Sequence, residues 1–575
     1  MMKSRWYVIA AGIGLGALLF SSCSRWFKPA APKLAVVIVV DQMRYDYLVR
    51  FAGLFSGGFG KLLREGAVFT NAHHDHANTE TAPGHATLLT GSHPSHHGII
   101  GNNFYEPQIG RQVYCVDDSN FAVVKSDDKE AMNSPSPGGK SPHKLRRSTL
   151  GDWLKAKNPA AKVISIAGKD RSAILMAGFE AEAAYWFDAS SGGFISSRYY
   201  LDALPEWAAQ WNAARHAGRY YGKAWEKSHQ EKDYFVSRED FFSAEGDGEH
   251  TTFPHEFATD EAASTNAIDR RFYEWLANTP FADALTLEFA QQAVQAEQLG
   301  ADGTPDLLLI GLSATDLIGH DFGPLSQESE NNLLRLDAEL AKFFAFLEAT
   351  VGLKNCVIAL SADHGVLPLP EELRRRGFES ARILYDEAFE EVKGVMREMQ
   401  QEWRTNRRFL RAFGADIVLD FRVADSLGLS PAAFRSRVAA KLRTLSFVSD
   451  VFTRDELQAT DGATCEFLEK QRHSFYPDRS TDLVLQLKPY YLVSEKSQGT
   501  THGSPYEYDT HVPMIFWGER IKPGRIDSSH KTVDLAPTLA YLLHLDLSSL
   551  KSQKEGRGAV EYGVDGEVLK MVIKE

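Results

Sequence analysis

Five runs rich in Val, Ile, Leu and Ala recur along the chain: LAVVIVVD (34–41), KVISIAGKD (162–170), DLLLIGLSATD (306–316), NCVIALSADHG (355–365) and VPMIFWG (512–518). Each ends abruptly in Asp, Gly or His. The runs are continuous rather than alternating, which is the pattern of a strand buried on both faces in a parallel sheet covered by helices. Between them lie segments of helical period, such as STLGDWLKAK (148–157) and ESENNLLRLDAELAKFFAFLEAT (328–350). In the second, Leu333, Leu334, Leu336, Leu340 and Phe344 keep one apolar face. The alternation predicts an α/β fold with a doubly wound, mostly parallel sheet flanked by helices and a site at the carboxyl ends of the strands.

Two stretches break the alternation. Residues 185–260 are dense in aromatics (Tyr185, Trp186, Trp207, Trp211, Tyr220, Tyr221 and Trp225) and read as an insertion over one edge. Residues 370–495 open with a charged helix near Glu371–Arg376 and run through PAAFRSRVAAKLRTL (431–445) to DLVLQLKPYYLV (482–493), a cap with a strand or two of its own. Neither has a repeat period. The pattern is that of one large domain over 34–575 with two cap insertions, and SPSPGGKSP (134–142) is a surface loop.

The first 23 residues stand apart from this fold. Lys3 and Arg5 precede the apolar run 7–20, and Leu19-Phe20-Ser21-Ser22-Cys23 resembles a bacterial lipobox. The run is short for a bilayer span. The expectation is an exported chain, periplasmic or attached to the outer membrane through a lipidated Cys23, with simple cleavage and retention as an anchor as the alternatives. The remaining cysteines, Cys115, Cys356 and Cys465, form no CxxC pair, which argues against a thiolate zinc site. One disulfide among them is compatible with export, and Cys356, opening an apolar run, reads as a buried small hydrophobe. A net charge of −13 argues against a nucleic-acid partner. Small phosphorylated substrates stay open, because a bound metal can supply the positive charge.

The candidate chemistry lies where the apolar runs stop. Asp41 closes the first run; Asp316 closes the third, with His320 four residues later; Asp363 and His364 close the fourth. His502 lies in a Gly-containing loop, TTHGSPYEYD (500–509). Three Asp and three His without thiolate suit zinc, with manganese or another first-row ion second. Six ligands exceed what one catalytic zinc uses and fit two ions. Each residue also has a plainer reading. Asp41 can cap a helix starting near Tyr45, and Asp316 with His320 can be a surface pair on a helix. Asp363 and His364 reach one ion only where the strand breaks, and Gly365 supplies a break. Thr81 precedes Pro83-Gly84, read as a turn that starts a helix carrying His85 to Thr90. A hydroxyl there feels the helix dipole and is activated by a metal, or it is simply a cap.

DQMRYDYL (41–48), NTETAPGH (78–85), HGIIGN (97–102), KDR (169–171), TDLIGH (315–320), SADHG (361–365) and THG (501–503) occur in that order. Together they resemble the alkaline phosphatase superfamily, in particular its PafA-type branch with a threonine nucleophile. The likeness runs from about residue 34 to the C-terminus and includes DLAPTLAYLLHL (534–545) as a closing helix. It implies two Zn2+ ions. Asp41, Thr81, Asp363 and His364 match the ligands of one, and Asp316, His320 and His502 those of the other. Asn102, Lys169 and Arg171 match the side chains that contact the transferred phosphoryl group.

The implied activity is hydrolysis of small phosphate monoesters through a phosphothreonine. The nearest alternative is a nucleotide pyrophosphatase/phosphodiesterase on the same scaffold. Lys169 and Arg171 argue against it, because that branch lacks the cationic pair. A sulfatase needs Cys or Ser ahead of Pro-x-Arg, and Thr81-Ala82-Pro83-Gly84-His85 has neither. The other histidines near Thr81 (His73, His74, His76, His93, His96 and His97) are expected in loops or packing, and His85 behind the ligands.

Overall fold

The strand Leu34–Val40 explains why its run is apolar at every position. Ala35, Val37 and Val39 pack into one core layer and Leu34, Val36, Ile38 and Val40 into the layer on the opposite face. On one side lie helices Thr81–Thr90, Leu150–Lys157, Asp170–Ala177 and Leu535–Leu542; on the other lie Gly58–Glu65, Phe281–Ala296 and Gln327–Thr350. The molecule is a computed structural model that describes residues 30–125, 138–257, 268–459, 465, 467–549 and 563–574. The expected leader with Cys23 and residues 134–137 of the predicted loop lie outside the described residues.

Among the described residues the central sheet has ten strands. In spatial order they are Gly524–Ile526, Ala67–Phe69, Met514–Gly518, Cys356–Ser361, Leu34–Val40, Asp306–Leu312, Val163–Ala167, Ala183–Asp188, Gly193–Ser197 and Val123–Val124. The block from Cys356–Ser361 to Ala183–Asp188 is parallel throughout. Its register aligns the strand ends: Val39 pairs with Ser361 and with Gly311, and Gly311 pairs with Ala167. The chain therefore leaves four neighbouring strands at one level. This is the doubly wound architecture the sequence predicts.

Some details differ. The run at 512–518 yields the strand Met514–Gly518, which is antiparallel to Cys356–Ser361. The stretch 185–260 begins inside the sheet, since Ala183–Asp188 and Gly193–Ser197 are both sheet strands, so its first residues are not cap. After Ser197 the chain does leave the sheet. Trp207 and Trp211 pack on Phe289 of the outer helix layer, and Trp225 on Phe253 and Phe322. In 370–495 the structure forms more than the strand or two expected: a four-stranded sheet (Leu410–Phe413, Asp416–Leu419, Leu483–Leu487, Val448–Thr453) and a parallel pair, Ala381–Leu384 with Tyr491–Ser494. This segment has its own core around Val392, Met399, Ile417, Phe434 and Val438. Cys115 and Cys356 are buried free thiols, and Cys465 is exposed and free.

Candidate active site

Asp41 is the first residue beyond the strand Leu34–Val40, and its backbone N–H bonds to Leu312 O of the neighbouring strand. Its side chain is fully buried and caps nothing; the helix Tyr45–Arg50 has Arg44 at its N-cap. Asp363 and His364 follow Ser361 after the strand has ended, which lets neighbouring side chains face the same space. The Asp363 Oδ1 accepts from the N–H groups of Gln42 and His364, both at 3.0 Å. Asp316 is not at a strand end. It lies in the first turn of the helix Ala314–Phe322, which begins just after the strand Asp306–Leu312, and His320 is one turn on. The pair is no surface pair: Asp316 is 3% exposed, and its Oδ1 is 3.2 Å from His320 Nε2.

The three histidines share one arrangement. His364 Nδ1 bonds to Gly365 O at 2.9 Å, His320 Nδ1 to Thr500 O at 2.8 Å, and His502 Nδ1 to Thr79 O at 2.7 Å. A carbonyl only accepts, so each Nδ1 carries the proton and each Nε2 keeps its lone pair. Those Nε2 atoms turn to carboxylates. His364 Nε2 is 3.5 Å from Asp41 Oδ1 and 3.5 Å from Asp363 Oδ2, and His502 Nε2 is 3.6 Å from Asp316 Oδ1. Asp41 Oδ1, Asp363 Oδ2 and His364 Nε2 are buried without a hydrogen bond. Unpaired carboxylate oxygens facing an imidazole lone pair are repulsive and costly unless a cation lies between them. The donor set therefore fits a metal.

Asp41, Asp363 and His364 are within mutual reach of one ion, and so are Asp316, His364 and His502. The His364 and His502 rings stack at 3.6 Å, so His364, assigned from sequence to one set, borders both.

Lys169 and Arg171 open the helix Asp170–Ala177 beyond the strand Val163–Ala167. The Lys169 Nζ donates to Asp41 Oδ2 at 2.6 Å and to Asp316 Oδ2 at 2.5 Å. Burial by itself would lower this ammonium, but the Asp316 and Asp41 carboxylates outweigh it and hold its pKa above the usual lysine value. Arg171 donates to Thr81 Oγ1 at 3.4 Å and to the Tyr114 hydroxyl at 3.3 Å. That hydroxyl donates to Asp170 at 2.5 Å. Asn102 is oriented at both ends: its N–H donates to Glu80 Oε2 at 2.6 Å, and its Oδ1 accepts from Ala82 N at 2.9 Å, leaving its Nδ2 as the donor.

Thr81 is itself the first residue of the helix Thr81–Thr90, so Pro83-Gly84 lies in the first helical turn rather than in a preceding turn. Proline is tolerated there because the first N–H groups of a helix lack intrahelical partners. Glycine is required at 84 by proximity: a Cβ there would sit 2.1 Å from Asp363 O and 2.6 Å from Asp363 Cβ. The helix that begins at Thr81 thus rests directly on the Asp363 backbone. Gly84→Ala is expected to destabilise the fold by about 3 kcal/mol and displace Asp363, measured as a lowered urea midpoint together with weakened metal binding. His85 Nδ1 lies 3.1 Å from Asp363 Oδ2.

Sequence reasoning missed three contributors. Gln42, at φ 65°, donates its side-chain amide to Asp316 Oδ1 at 2.7 Å while its N–H holds Asp363, linking both sets. Tyr114 and Glu80 orient Arg171 and Asn102. Gln42 had a faint signal in its place beside Asp41; Tyr114, on a hairpin strand Arg111–Tyr114, had none. From Asn102 and His502 a cavity of about 540 Å³ opens toward the cap, lined there by Phe389, Asp416 and Tyr491.

Residues 35–511 match the family described as type I phosphodiesterase / nucleotide pyrophosphatase. The chain belongs to this family. It is an enzyme of the alkaline phosphatase superfamily. Among curated relatives of this phosphodiesterase-family chain is the alkaline phosphatase PhoV of Synechococcus elongatus, 34% identical over 527 residues, 90% of this chain and 91% of that protein. The alkaline phosphatase PafA of Elizabethkingia meningoseptica is also 34% identical over 527 residues, covering 90% and 92%. A crystal structure of wild-type alkaline phosphatase PafA superposes with a TM-score of 0.82 at 31% identity, covering 95% of this chain and 100% of that one.

Proposed function

We propose that this enzyme is an alkaline phosphatase that hydrolyses small phosphate monoesters through a covalent phosphothreonine at Thr81, with two zinc ions. The observation that carries the reading is the common arrangement of His320, His364 and His502, each Nδ1–H donated to a backbone carbonyl and each Nε2 turned toward buried carboxylates. Asp41, Asp363, His364 and Thr81 would hold one ion, and Asp316, His320 and His502 the other. Bound there, the ions supply Lewis-acid charge that lowers the pKa of the Thr81 hydroxyl and stabilises the leaving alkoxide.

The remaining chemistry belongs to the chain. The Thr81 oxygen attacks phosphorus, the bond to the alcohol oxygen breaks, and the alcohol leaves toward the cavity beside His502. Arg171, next to Thr81 Oγ1, and the Asn102 amide hold oxygens of the transferred group. Lys169 adds a further positive charge between the carboxylates. Water then attacks the phosphothreonine, giving phosphate and restoring the Thr81 hydroxyl. The fixed donors are worth most where the charge on the phosphoryl oxygens is greatest.

The family to which the chain belongs favours a second reading, a phosphodiesterase or nucleotide pyrophosphatase. The ratio of monoesterase to diesterase rates on matched aryl substrates separates the two; a ratio below one would overturn the phosphatase reading. Chelation is expected to abolish monoesterase activity, and added zinc to restore it more fully than magnesium. Undiminished activity in chelator would remove the metals from the proposal.

A further inference from the structure

A second cluster of imidazole and carboxylate groups lies outside the ligands described above. Asp75 precedes the nucleophile segment, His93 begins the short helix Pro94–His97, His473 is on the cap helix Leu468–Ser474, and Asp565 comes from the C-terminal segment. Asp75, His93 and His473 each offer a ligand atom within 4.8 Å of the other two, and His93, His96 and Asp565 form a second such triad. We propose that Asp75, His93 and His473 bind a divalent first-row metal ion of the zinc type, separate from the catalytic pair, and that this ion ties the cap helix to the segment leading to Thr81.

The orientation of His93 carries the argument. The Asp565 Oδ2 accepts from the His93 backbone N–H at 2.8 Å and lies 3.2 Å from its Nδ1. A carboxylate behind one ring nitrogen fixes the tautomer and turns the other nitrogen outward, as behind metal-bound histidines. That other nitrogen, Nε2, points to Asp75 Oδ2 at 3.6 Å and is buried without a hydrogen bond. His93 is 6% exposed, so water does not repair this. His473 Nδ1 bonds to the Asp75 carbonyl at 2.5 Å and lies 3.4 Å from Asp75 Oδ2, and its ring lies 3.8 Å from that of His93.

A protonated His93 between two aspartates would account for one ring and no more. His76 is fully buried among the rings of His74, His93, His97 and His473, and neither of its nitrogens has a hydrogen bond. Such a group costs about 1–3 kcal/mol when unpaired, so a neighbouring ion that recruits it is favoured. Lys531 is the competitor. Its ammonium lies 2.5 Å from Asp75 Oδ2, but the side chain is 55% exposed and can turn to solvent. Two His and one Asp, with a fourth position for His76 or water, match zinc's preferred ligands.

The position gives the ion a consequence. Ser474 Oγ, next to His473, already accepts from the N–H groups of Ala77 and Asn78 at 2.8 and 3.1 Å, and Gln471 and Ser474 line the cavity. An ion at Asp75 would fix the cap helix against the segment that leads to Thr81.

The test compares metal per chain, by mass spectrometry, in zinc-reconstituted wild type, His93→Ala and His473→Ala. One equivalent fewer in each variant is expected, whatever number the catalytic centre holds. Asp363→Ala should lose catalytic metal and keep the additional equivalent. Zinc-edge anomalous diffraction from wild-type crystals makes the result independent of how the variants fold. A peak between Asp75 Oδ2 and His93 Nε2 at micromolar zinc supports the site. Equal metal content in wild type and both variants overturns it, as do anomalous peaks confined to the catalytic centre or a peak at Asp75 seen only at millimolar zinc.

Discussion

Replacing Thr81 with alanine is expected to lower turnover of an aryl phosphate roughly 10³- to 10⁶-fold while leaving metal content nearly unchanged. Thr81 is 1% exposed at the start of its helix, and its Oγ1 faces Arg171. Removing the oxygen removes the proposed attacking group but leaves Asp41, Asp363 and His364, which lie within reach of one another without it. Alanine is at home in a first helical turn, so the fold should persist. Thr81→Ser should retain most activity, because it keeps the hydroxyl at the same position. Acid quench during turnover should trap phosphate on the peptide carrying residue 81 in wild type and not in the alanine variant. Near-normal turnover in Thr81→Ala would mean that water attacks the substrate directly.

The parallel core was legible because its strands are apolar on both faces, and Leu34–Val40 shows why: alternate residues feed two separate core layers. The same feature hid strand direction. Met514–Gly518 is apolar for the same reason, and nothing in composition distinguishes its antiparallel pairing. The cap was under-read because its strands are short and half-buried, as in Asp416–Leu419, where the partner Leu483–Leu487 is distant in sequence.

Site residues were legible where the polypeptide itself places them. Asp41, Lys169 and Asp363 are one or two residues past aligned strand ends, so the sheet register brings them together. His502 has no such rule; it arrives on a loop and is positioned by Thr79 O. Gln42 and Tyr114 act through side-chain hydrogen bonds across long sequence separations, and such bonds leave no periodic trace. Of the histidines around Thr81, conspicuous in sequence, His74 bonds to Ala362 O and Thr532 and His97 to Thr87, in ordinary packing roles.

The Lys169→Ala, Arg171→Ala double variant is expected to lose roughly 10²- to 10⁴-fold in monoester hydrolysis, and far less in diester hydrolysis. A monoester dianion has charge on three oxygens, whereas a diester has one of them blocked, so a cationic pair aimed at those oxygens favours the monoester. Lys169 complicates the experiment, because its ammonium also neutralises Asp41 and Asp316. Without metal, the variant leaves those buried carboxylates uncompensated and is expected to be less stable. Rates are therefore compared on zinc-saturated protein, with metal content measured on the same samples. A selective loss on the monoester assigns the pair to the phosphoryl group. An equal loss on both substrates with full metal content would instead make Lys169 and Arg171 a scaffold for the carboxylates and for Thr81. The monoester preference would then have to come from Asn102, whose Asn102→Ala variant should in that case lose the monoester reaction selectively.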